Sequence, residues 1–244
     1  LGQWQAIQNE LQLPNLPGPD EIRLLLEART LTQLGQTDAA DLAWQRVLNA
    51  VANQPIKLLN VALYAMQLKL YQYARPAFQQ LLDHPQERRT AYEQLIKIEQ
   101  LTGHTPALHQ LLLDMEKVYP DDPLVKNDVL YTGFLLGQTG PEQLDAARKL
   151  VADSKIPYLS YRVTLALGLL MAGQSAQALD AFNGVAESTW PVSTNNWNAV
   201  YIGVLRANGE RQKASIIEQA INESTLLPEE KKLLLTPLPP GTVP

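Results

Sequence analysis

The sequence predicts an all-α fold, a solenoid of helix-turn-helix hairpins in which each hairpin packs only on its neighbours. Three observations carry this. A glycine or an equivalent turn residue recurs at Gly35, Lys69, Gly103, Gly137, Gly173 and Gly209, at spacings of 34, 34, 34, 36 and 36 residues. The apolar residues on either side of each turn follow helical spacing, and no stretch sustains the alternation of a strand. Prolines close the units at Pro55, Pro85, Pro120 with Pro123, Pro157, Pro191 and Pro228, because a proline cannot continue a helix from within.

The elements follow in order. Residues 1–20 contain a short apolar run, Trp4, Ile7 and Leu11, which ends before Pro14 and reads as a linker-borne helix or part of a truncated unit. Six hairpins are expected over 21–54, 55–88, 89–122, 123–158, 159–194 and 195–228. In the first, Ile22, Leu25, Leu26, Ala28, Leu31 and Leu34 give one helix, Gln36 and Thr37 the turn, and Ala39 to Val51 the second helix. The third spells out its caps: Gly103 ends one helix, Thr105 can accept orphan amide bonds of the next, and Pro106 suits a first helical position.

Five residues after most turns stands a small residue, Ala40, Ala74, Ala178 and Ala214, with Leu108 in the third unit. Four further on stands a bulky one, Trp44, Phe78, Leu112 and Phe182, with Glu218 breaking the rule in the sixth. The fourth unit extends its turn with Gly140-Pro141-Glu142, and Ala146, Ala147 and Leu150 resume the pattern about four residues late. From Glu229 to Leu235 the pattern predicts a terminal helix covering the last hairpin. The proline-rich end, Thr236 to Pro244, cannot build a packed core and is expected to be extended or disordered.

This period and these offsets resemble the tetratricopeptide repeat (TPR) family over residues 21–228, about six repeats. The family's small first-helix residue corresponds to Ala28, Ala62 and Ala166, but to Ile96, Leu130 and Ile202 elsewhere. The resemblance implies a right-handed α-α superhelix whose first helices line a concave groove for a protein or peptide partner. Mapped onto this chain, the groove positions are Arg29, Gln33, Asn60, Gln67, Glu93, Lys97, Asn127, Tyr131, Phe134, Asn196 and Arg206. Amides and arginines there suit an extended peptide backbone, and Tyr131 and Phe134 suit an apolar anchor. The family's two-carboxylate clamp is not implied: only Asn60 and Arg29 stand near its places, with Leu25, Thr90 and Gln94 at the others. Val163, Leu167 and Leu170 are apolar at groove positions, which points to burial against a neighbouring unit, with a helix-accepting patch as the alternative.

A net charge of -5 without a basic cluster argues against nucleic acid, since Arg88-Arg89 and Lys231-Lys232 are too short to count as a tract. There are no cysteines, hence no disulfide or thiolate chemistry. No run is long and apolar enough for membrane insertion. The three histidines, His84, His104 and His109, read as turn and helix-start residues rather than metal ligands. The carboxylate pairs Asp121-Asp122 and Glu229-Glu230 read as charges complementing helix N-termini, and Met66, Met115 and Met171 as core filler. No phosphate loop and no nucleophile elbow occurs, so no catalytic residue, metal or cofactor is expected.

The expected function is a non-catalytic protein-protein interaction scaffold, with self-association by end-to-end stacking as a further option. The alternative is an accessory C-terminal region of a larger enzyme or envelope-assembly protein whose active part lies upstream of Leu1. That alternative comes from the Leu1 start; the compartment stays open, with a bacterial periplasmic or envelope setting suggested by the Leu1 start and the proline-rich tail and the cytoplasm almost level with it.

Overall fold

A computed structural model of the chain describes residues 2–13, 18–156 and 158–236. The expected chain break at Pro14, the seam at Pro157 and the tail beyond Thr236 lie outside these. Among the described residues there are helices and turns and no strand. Two compact units divide within one helix, the first ending at Ile98 and the second beginning at Glu99.

The first unit comprises α1 (Gly2–Leu11), α2 (Asp20–Gln33), α3 (Thr37–Val51), α4 (Pro55–Gln67), α5 (Tyr71–Leu81) and the start of α6 (Arg88–Thr102). The α2/α3 and α4/α5 pairs are tight hairpins. Their turns require a left-handed residue: Gly35 has φ 71°, and Lys69 takes φ 59° despite its Cβ. The core contains Ala28, Ala40, Ala43, Trp44 and Val47 in the first hairpin and Leu58, Ala62, Ala74, Ala77 and Phe78 in the second, all buried. Small residues let the helices approach, and one large ring per hairpin fills what is left.

Between these hairpins, Trp44 stacks on Tyr73 with ring centroids 5.0 Å apart. The Trp44 Nε1 donates to Thr32 Oγ1 at 3.1 Å, and the Tyr73 hydroxyl donates to Asp41. Burial and that carboxylate push the Tyr73 phenol up to about 12. On the other side, α2 and α4 are tied at two heights, by the Glu21–Lys57 ion pair and by the Arg29 guanidinium over the Tyr64 ring.

The second unit carries the end of α6, then α7 (Thr105–Val118), α8 (Pro123–Leu135), α9 (Pro141–Asp153), α10 (Leu159–Met171), α11 (Ser175–Asp180), α12 (Asn195–Ala207), α13 (Arg211–Glu218) and α14 (Pro228–Leu233), with 3-10 turns at Glu187–Val192 and Glu223–Thr225. Gly103, Gly137, Gly173 and Gly209 all have positive φ at the turns. Asp122 caps α8 by accepting from the Leu124 and Val125 amides at 3.0 and 3.4 Å.

The first helices α8, α10 and α12 pack side by side, with α10 in the middle. Gly168 permits the α8–α10 approach, because a Cβ there would stand 2.6 Å from the Phe134 ring. The second helices are less regular. After the extended turn, α9 packs more extensively on α10 than on its hairpin partner α8. Only six residues form α11, and the missing turns are replaced by a ring cluster. Phe182 meets Trp190 and Tyr201 edge-on at 5.1 Å, and Trp190 stacks on Tyr201 at 3.8 Å.

Candidate functional site

In the first unit, helical periodicity places Ile22, Leu26, Arg29 and Gln33 on one stripe of α2, and Ile56, Asn60, Leu63 and Gln67 on the equivalent stripe of α4. Ile22 is 53% exposed, Leu26 41%, Ile56 71% and Leu63 38%. Asn60, Gln67, Glu93 and Lys97 are also exposed, as is Gln33. Arg29 is half-buried instead. Its guanidinium lies between the rings of Trp4, at 4.9 Å, and Tyr64, at 5.7 Å, and its Nε has no acceptor. Arg29 therefore ties α1 and α4 to α2. Glu93 is engaged with Arg89 at 3.2 Å on the helix surface.

The second unit treats the same face differently. Phe134 is 0% and Asn127 5% exposed, which corrects the expectation that they line an open groove: Phe134 packs under Gly168, and Asn127 Nδ2 donates to Asp128 at 3.1 Å. Val163 and Leu167 are buried within α10 as the apolar reading anticipates. Tyr131, Asn196 and Arg206 do converge, but on the chain's own C-terminal segment. The Tyr131 hydroxyl donates to the Glu230 carboxylate at 2.7 Å, and Arg206 Nε donates to the Thr236 carbonyl at 2.9 Å. Asn196 also bonds the Tyr131 hydroxyl.

Rather than covering only the last hairpin, α14 thus reaches back to α8. Its first turn also meets the start of α7, where the Thr105 hydroxyl bonds Glu229 and Pro228 lies against Gly103. At its other end, Leu233 packs over Gly203 of α12, beside Leu170 of α10. Leu226, Leu227, Leu233 and Leu234 are each 5% exposed, a gain of roughly 1.5–3 kcal/mol apiece before entropy.

Against that stands Glu230. It is 3% exposed, and its carboxylate is held by the Tyr131 hydroxyl and by the Leu227 amide at 2.8 Å, with no ion partner among the described residues. Burial raises its pKa above the usual carboxylate range, with the bonds from Tyr131 and Leu227 opposing. Burial and the Glu230 charge push the Tyr131 phenol well above its ordinary range. A sequence signal existed in Glu229-Glu230 ahead of three leucines. The reading of that pair as helix-start charge holds for position but misses that one carboxylate is buried.

His109 is a second missed residue. It is 7% exposed rather than solvated. The Thr132 hydroxyl donates to the Asp128 carbonyl at 2.8 Å, which leaves its oxygen to accept from His109 Nδ1 at 2.8 Å. Burial holds His109 below the usual histidine range, opposed by a bond with Gln138 from the extended turn. It sits in a cleft of about 830 Å³ among α7, α8 and α9, with Leu113, Leu130 and Leu150 and a mix of carboxylates and lysines. Met171 is 42% exposed, against the expectation of core filler, while Met115 is buried. Among the described residues no group of acidic and histidine side chains is arranged to hold a metal, and no helix is long and apolar enough to cross a membrane.

Paired helices joined by left-handed turns, small residues at their crossings and first helices aligned across successive hairpins define a TPR-like helical repeat protein. Among solved structures, the chain is similar to a tetratricopeptide repeat protein from Parabacteroides merdae, with a TM-score of 0.55 and 16% identity over 96% of this chain and 90% of that one. No family model matches the sequence, and no curated protein matches it.

Proposed function

We propose that this chain is a non-catalytic scaffold that holds a peptide or protein segment on the first-helix face of its first unit. The observation that carries this is the exposure of Ile22 and Leu26 on α2 and of Ile56 and Leu63 on α4, with Ile22 and Ile56 at the same place one unit apart. Branched aliphatic side chains are costly to leave in water, and several of them on one face mark an interaction site. Around it Asn60 and Gln67 offer amides that can bond a peptide backbone, and Lys97 and Glu93 supply charge at one side. Arg29 and Trp4 shape the edge instead of contacting the partner.

Selection from a phage-displayed peptide library on the immobilised chain tests the assignment. Peptides that bind are expected to lose at least tenfold in affinity for Ile56→Asp and little for Leu42→Asp, a 62% exposed leucine on α3. Equal binding to both variants would place the interaction elsewhere.

A further inference from the structure

The first-helix face of the second unit holds an eleven-residue stretch of the same chain, Leu226 to Thr236, by contacts with three different hairpins. Only six of these residues are helical, far short of the roughly 12 to 15 that an isolated helix needs, so the groove and not the segment dictates its conformation. Leu227, Glu230, Leu233 and Leu234 follow helical spacing and are all buried, so one stripe of the segment makes the contact. The lysines Lys231 and Lys232 point to solvent. What leads into it, Asn222 to Thr225, is a 3-10 turn with exposed side chains. These are the properties of a docked peptide ligand: few anchors, polar contacts at Glu229 and Glu230 near one end and at Thr236 at the other, and a short exposed lead.

The receptor side fits the same description. Leu233 packs directly on Gly203, where a Cβ would stand 3.4 Å from it and 3.2 Å from Leu170. Tyr131 offers one hydroxyl to one carboxylate, and Arg206 reads a backbone carbonyl, a contact open to any sequence.

We propose that Leu226–Thr236 is an exchangeable resident of this groove, and that the groove takes a partner's short helix of the same chemistry, one carboxylate with leucines three residues before and after it. This rests on the scaffold reading, and it divides the molecule into an open first-helix face and a self-occupied one. The partner's helix competes with the resident for Tyr131, Gly203 and Arg206, so the second face becomes available only when the C-terminal segment leaves.

The test uses the full-length chain and a fluorescent synthetic peptide of residues 225–236. In a Glu230→Ala/Leu233→Asp variant the resident is weakened, and the peptide is expected to bind saturably, at least tenfold tighter than to the wild type. Adding Tyr131→Phe should weaken that binding severalfold, while Ile56→Asp should leave it unchanged, which separates this proposal from the first-unit assignment. Amides of 229–236 in the wild type are expected to exchange with solvent faster than those of α10 and α12. The proposal is overturned if those amides exchange only with global unfolding, if the double variant loses its helical fold, or if it stays folded and takes no peptide. A concentration-dependent dimer of the double variant would also overturn it, giving the groove to a second copy's segment instead of a partner's.

Discussion

The two units present one kind of surface in two conditions. On α2 and α4 the first-helix face keeps four aliphatic side chains exposed, Ile56 the most. On α8, α10 and α12 the equivalent face is filled by leucines and a buried glutamate from the C-terminal segment. The difference teaches that exposure at a repeat position is not set by the position. Tyr131 and Asn60 both stand on first helices, yet Tyr131 bonds Glu230 of the same chain while Asn60 is exposed.

The largest effect that should separate the units comes from their ring fillers. Phe78→Ala and Trp190→Ala each remove a fully buried ring and should cost roughly 3–5 kcal/mol, a large part of a typical total of about 5–15. Hydrogen exchange should show Phe78→Ala loosening α4 and α5, and Trp190→Ala loosening α10 to α12. Uniform loosening of the whole chain in either case would mean that the units do not unfold separately.

Glu230 gives the next effect. Its pKa is raised in the folded state, so the neutral form is favoured there. The segment should therefore be held most firmly below the ordinary value of 4.5, and the hold should weaken as pH rises from there through the raised folded value. Exchange protection of 228–236 should fall over that window, while the first unit stays flat. Glu230→Gln keeps the shape and can both accept from Leu227 and donate to Tyr131, so it should abolish the fall. Glu230→Ala leaves the buried Tyr131 hydroxyl and Leu227 amide without this acceptor and should destabilise by about 1–3 kcal/mol.

Much of this architecture was legible beforehand, and the turns show why. Each is a local event: a helix must end in a left-handed residue, and glycine meets that requirement most easily, so Gly35, Gly103, Gly137, Gly173 and Gly209 announce themselves. Lys69 was found from the period alone, and its φ of 59° bears that out. The site was less legible because its contacts are remote in sequence. Tyr131 and Glu230 are 99 residues apart, and nothing near either residue records the other. Phe134 reads from the sequence as a groove anchor, but Gly168, against which its ring packs, lies in the next hairpin. His109 likewise owes its burial to Thr132 and to Gln138 of the extended turn.

Lys69→Gly tests the turn argument and should stabilise the first unit by about 1 kcal/mol, the cost of holding a residue with a Cβ in the left-handed region. A thermal midpoint that rises by a few degrees would agree, and one that falls would show that the lysine side chain makes a compensating contact. The smallest expected effect is that of Ile56→Thr, which should leave stability within about 0.5 kcal/mol because the side chain is mostly in water already.

The attachments of the C-terminal segment also have a mechanical meaning. A pull on the chain beyond Thr236 loads the Arg206 bond first, then Leu233, then Glu230 with Glu229, because they meet the segment in that order from its end. Contacts arranged in series yield one at a time at low force, as a zip does, whereas a hairpin such as α2 with α3 resists along its whole length at once. Tension on the C terminus would therefore peel Leu226–Thr236 from its groove before any hairpin opens, and the released length would act as a tether.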